Sequence, residues 1–137
     1  MNTITPAIHD LVRRLIALEA ARDPSDGLAG AVVRACEKLR VPLAKLVGMA
    51  GFRSLMSRAL AMSKAVTHSL DAVQMRPDGS LEGLGGIQDA GAGAAIVAQL
   101  LGLLVIFVGE PLALRLVRDA WPGESVAEID AGTGEGS

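Results

Sequence analysis

Apolar residues recur along this chain at two different periods. Ile8, Leu11, Val12 and Leu15 fall at i, i+3, i+4 and i+7 behind Pro6, the spacing of one buried stripe on a helix whose first turn tolerates proline. The stripe predicts a helix over about 6–22. Glu19 stands four residues beyond Leu15, where the same stripe requires another core residue. A carboxylate there is either a functional acid or a group near the helix end that reaches water or pairs with Arg22, and the second is the expectation.

Pro24 disfavours helix at Asp23, and Ser25 or Asp26 can cap the next helix, predicted over about 26–40 with Leu28, Val32, Ala35, Cys36 and Leu39 on one face. Pro42 then predicts a break, followed by a short helix over 42–47 that ends at Gly48. Beyond Gly51 the clearest amphipathic pattern begins. Phe52, Leu55, Met56, Ala59, Leu60, Ser63, Val66 and Leu70 share a face, and Arg53, Lys64 and His68 lie near the opposite pole.

The period changes after Leu70. Residues 73–82 alternate apolar and polar around Pro77-Asp78-Gly79, the chemistry of a turn between two short strands, and predict a β-hairpin over about 72–82. Because such a pair is marginal alone in water, it is expected to pack on the helices. Five glycines between Gly83 and Gly93 read as a flexible connector. From Ala90 to Gly109 run twenty residues with no formal charge, apolar on every side of a helix over 100–108. This segment becomes the central helix, regular from about 94 to 108, with Ala94, Ala98 and Gly102 as a small-residue seam for close approach. Gln99, its one strongly polar side chain, is a candidate buried polar contact, since a buried amide without hydrogen bonds costs a few kcal/mol. Pro111 opens a last helix carrying Leu112, Ala113, Leu116, Val117, Ala120 and Trp121 on one stripe. The expected fold is therefore mainly α: a compact bundle of about five helices around a central apolar helix (about 94–108) with one small hairpin (about 72–82). Residues 1–122 form one helical domain, and 123–137, small, acidic and aperiodic, a flexible acidic tail with room for a short docking segment at 126–129.

Composition narrows the functional classes. Half of the residues are hydrophobic and only three are aromatic, Phe52, Phe107 and Trp121, which is the palette of packed helices. The single cysteine, Cys36, falls in an apolar stripe and excludes intrachain disulfides and multi-cysteine zinc sites. It is expected to be a buried, inert thiol. The amino terminus lacks the pattern of a secretory signal, so a cytoplasmic location is the expectation.

Charge is segregated along the chain. Seven cations face one anion between Val32 and His68, whereas from Ser69 onward ten acids face three arginines. Arg34, Lys38, Arg53, Arg58 and Lys64 are the candidate interaction surface, able to attract an acidic partner, including the acidic end of another copy. Residues 43–60 also resemble a DNA-reading helix-turn-helix with Gly51 as the turn glycine. Val47 and Ser57, however, occupy positions where that motif packs a small and an apolar residue. Gly48-Met49-Ala50-Gly51 resembles the GxxG loop of KH domains, without the usual basic residue between the glycines or strands around it.

Catalytic chemistry is sparse. His9 and His68 lie on polar helix faces, and the chain has no metal-ligand motif, no phosphate loop and no buried strand before its glycine cluster. No catalytic, cofactor or metal residue is assigned. The expected function is a noncatalytic protein-protein interaction or regulatory module that binds a protein partner, above all itself as a homo-oligomer, or joins a larger complex. The alternatives are membrane association through 90–109, long enough to cross a bilayer core of about 30 Å, and nucleic-acid binding through the basic region 34–64.

Overall fold

The structure, a computed structural model, describes residues 6–23, 25, 27–86 and 90–121. Four α-helices carry it: α1 (Pro6–Arg22), α2 (Gly27–Val66), α3 (Ala90–Val108) and α4 (Glu110–Ala120). Between α2 and α3 lies an antiparallel pair of short strands, β1 (Gln74–Met75) and β2 (Leu81–Glu82). The architecture is thus mainly helical with one small hairpin, and α3 packs against α1, α2 and α4.

The helices number four because Pro42 does not interrupt α2. Proline removes one helical hydrogen bond and crowds the preceding turn, a cost of about 3 kcal/mol. Leu39 and Leu43, both fully buried on either side of it, belong to the core and offset that cost. The chain breaks instead at Gly48, whose φ of 81° and ψ of 166° divide α2 into halves 27–47 and 49–66. Gly51, the expected turn glycine, is helical; a Cβ there would lie 2.8 Å from Val47 Cβ, so its role is close packing against the previous turn.

The stripe of α1 is buried as Ile8, Leu11, Val12, Leu15 and Ile16, and Glu19 completes it. On α2 the core residues are Ala31, Val32, Ala35, Cys36, Leu39 and Leu43, then Phe52, Met56, Ala59 and Leu60. The hairpin turns at 76–79, where the Gly79 N–H donates to Arg76 O (2.8 Å) and the Arg76 N–H to Ser80 O (2.7 Å). Pro77 fits the φ of the second turn position, and Gly79 takes the φ of 90° that favours glycine. The turn rests on the helices: a Cβ at Gly79 would meet Phe52 Cε2 at 2.8 Å, and Val73 and Leu81 are buried.

α3 starts at Ala90, four residues before the expected onset and within the supposed connector. The reason is contact with α2, since a Cβ on Gly93 would lie 2.7 Å from Val32 Cγ2. Ala94, Ala98 and Gly102 are all buried, as a close-packed seam requires. Gln99 is only half-buried, so it does not need an internal partner for its amide. The carboxy-terminal segment 123–137, with its docking segment, lies outside the described residues, as do Pro24 and Asp26.

Candidate interaction surface

The most polar part of the core is built where three helices meet. Glu19, 1% exposed, occupies the last buried position of the α1 stripe. Arg34 and Lys38, one turn apart on α2, both reach it: Lys38 Nζ lies 2.5 Å from Glu19 Oε2 and Arg34 Nε 3.4 Å from Glu19 Oε1. Two cations at that spacing repel one another unless a carboxylate stands between them. Trp121, which follows α4, donates its indole N–H to Glu19 Oε2 at 2.9 Å, and the Lys38 ammonium stands 5.6 Å from the ring centroid, within cation-π range.

Arg34 does a second task. Its Nη2 donates to the backbone oxygens of Glu19 (2.8 Å) and Asp23 (3.1 Å) at the carboxy-terminal end of α1; the first also accepts from the Asp23 N–H, and the second lies just beyond the helix. Burial alone would raise the Glu19 pKa. The hydrogen bonds from Lys38 and Trp121 and the charges of Lys38 and Arg22 outweigh it and hold the carboxyl below its ordinary 4.5. Glu19 therefore stays ionised, fixed by cations and an indole, rather than poised to exchange protons near neutrality. Its expected route to water at the end of α1 is not taken. The Arg22 charge contributes, but the larger partners come from α2 and from the end of α4.

Of the five cations expected on one interaction surface, the structure thus turns Arg34 and Lys38 toward Glu19, leaving about a quarter of each side chain exposed. Arg53, Arg58 and Lys64 lie together on the second half of α2. Arg58 is exposed and the other two are half-buried, Arg53 beside the hairpin turn. None of the three pairs with a carboxylate among the described residues, whereas Arg40 is paired with Glu37 and Arg76 with Glu82. Trp121 escaped the expected site altogether. The sequence signal was present, because a carboxylate and a tryptophan both in core register require polar partners.

Large apolar groups also reach the surface. Ile106 and Phe107, in the last turn of α3, are each 63% exposed; Val41 is 57% and Val66 72% exposed. An open groove of about 410 Å³ separates the first turns of α2 from the hairpin, with Arg34, Arg76 and Glu82 in its wall, and these three already hold the pairings described above.

His9 and His68 are exposed. Cys36 is buried, and burial, with the Glu37 carboxylate adding to it, pushes its thiol up to about 12. Among the described residues no three His, Cys, Asp or Glu side chains come together as metal ligands, and no helix is long and apolar enough to cross a membrane. Comparison of the chain with known protein families, curated proteins and solved structures yields no match.

Proposed function

We propose that this chain is a noncatalytic protein-protein interaction module that associates with itself. The observation that carries the reading is the end of α3. Leu100, Leu101 and Leu104 are at most 2% exposed, yet Ile106 and Phe107 follow at 63% on the same helix, flanked by half-buried Leu103, Val105 and Val108. Single exposed hydrophobes are ordinary on protein surfaces; an aliphatic and an aromatic side chain adjoining further apolar groups form a patch that favours a partner. Full burial of either is worth about 1.5–3 kcal/mol.

The test is the mass of the full chain by light scattering on a sizing column without detergent. A discrete oligomer that Ile106→Ser/Phe107→Asp converts to monomer supports the reading; a wild-type monomer defeats it. Protein recovered only with detergent moves the assignment to membrane association, which requires separating α3 from the helices around it. The acid-free stretch 49–66, with Arg53, Arg58 and Lys64, favours nucleic acid as a second reading. That reading requires binding that weakens steeply with salt, and absence of binding near about 50 mM salt defeats it.

A further inference from the structure

We infer that the second half of α2 is a docking face for the acidic segment 123–130 of a second copy of this chain. This rests on the self-associating reading and assigns it a second contact. From Lys38 to Leu70 the chain contains no acid. On the exposed side of 49–66, Arg58, Met62 and Val66 follow one another at four-residue intervals and so form one row, and Lys64 lies on the opposite edge of that side, across Ala61 and Ala65 from the row. Met62 is 38% and Val66 72% exposed, Arg58 is exposed and Lys64 half-buried. Between these larger side chains Ser57, Ala61 and Ala65 are exposed and small, which lets another backbone approach closely.

The complement is in the chain itself. Glu124, Glu128 and Asp130 stand around Val126 and Ile129 in the sequence, acids with two apolar side chains, as the docking face carries Arg58 in a row with Met62 and Val66 and Lys64 on its other edge. In the first half of α2 and on the hairpin the cations near acids are engaged: Arg34 and Lys38 hold Glu19, Arg40 holds Glu37, and Arg76 holds Glu82. Arg58 and Lys64 are left facing outward with no carboxylate partner among the described residues. Reciprocal exchange, each copy giving its segment to the other, closes a twofold dimer and leaves no open end to propagate. Charge complementarity of this kind supplies register and speed of encounter, and the apolar pairs slow dissociation.

Two full-length variants test it: Arg58→Glu/Lys64→Glu and Glu124→Lys/Glu128→Lys. Each alone places like charges together and is expected to weaken assembly at least tenfold at low salt, read as a fall in mass on dilution. Mixed in equal amounts, they present one acidic face to a basic segment and one basic face to an acidic segment, so the mixture regains the wild-type mass. Far-ultraviolet circular dichroism checks folding. If the α2 variant loses its helices, the segment variant, which alters no residue of the four helices, decides alone. Unchanged mass in that variant overturns the inference while self-association stands. So does a mixture of folded variants that fails to reassemble, the result expected if each segment docks on its own chain. A monomeric wild type removes both.

Discussion

The indole N–H of Trp121 donates to Glu19 Oε2 at 2.9 Å, across 102 positions of the chain, and ties the end of α4 to the end of α1. Lys38 lies within reach of both groups, so one carboxylate links three helices. Removal of that carboxylate leaves two cations facing each other in a partly dry site. Glu19→Gln, which keeps an oxygen for the indole, is expected to cost about 2–3 kcal/mol. That lies below the range for a fully buried pair because Arg34 and Lys38 retain some access to water. Trp121→Phe, which deletes the donor and the pyrrole half of the buried ring system, is expected to cost at least about 2 kcal/mol. Urea unfolding followed by circular dichroism reads both.

Acid reports on the same carboxylate. Its pKa is lower in the folded chain than the ordinary 4.5 of an unfolded one. The stability it confers is therefore complete above about pH 5 and is lost as pH falls below 4.5 through the lowered folded value. Asp23 and Asp78, each held down by hydrogen bonds from a serine two residues on, act in the same direction from exposed sites. The melting temperature of the wild type is expected to fall across this window. That of Glu19→Gln is expected to fall less, so the gap between them narrows with acid; a constant gap would refute the assignment.

Two glycines separate backbone strain from collision. Gly109 has φ of 94°, and the nearest atom to a Cβ added there is Pro111 Cδ at 3.9 Å, so Gly109→Ala meets the strain alone, about 1–2 kcal/mol. Gly83 has φ of 87°, and a Cβ there would lie 2.4 Å from Ala72 O, a backbone atom that side-chain rotation does not move. Gly83→Ala is expected to cost more than Gly109→Ala by at least about 1 kcal/mol, measured as a difference in unfolding free energy.

Cys36 offers a check on the core. With its thiol pushed up to about 12 and its side chain buried, it is expected to resist an aromatic disulfide reagent at about pH 8 in the native chain and to react at once in denaturant. Rapid labelling without denaturant would show that α2 opens around it.

Local patterns carried most of the fold into view. The α1 stripe, the Pro77-Asp78-Gly79 turn, the break at Gly48 and the small-residue seam of α3 each depend on neighbours within a few positions, where side-chain period and φ preference decide. Pro42 misled because a local cost was outweighed by the burial of Leu39 and Leu43. The early start of α3 depends on Val32, far away in sequence. The candidate surface was legible only in half. All five cations have the same local signature, and what distinguishes Arg34 and Lys38 from Arg53, Arg58 and Lys64 is Glu19 on another helix.

The tie between Glu19 and Trp121 also orders events in time. At a synthesis rate of about 5–20 residues per second, the indole follows the carboxylate out of the ribosome by roughly 5–20 s. Lys38 and Arg34, only 19 and 15 positions beyond Glu19, emerge well within that interval. The apolar side of α3 that α4 covers has no such early partner. For the nascent chain the arrival of α4 closes this side of α3, and the central helix is at greatest risk of sticking to the wrong neighbour just before it.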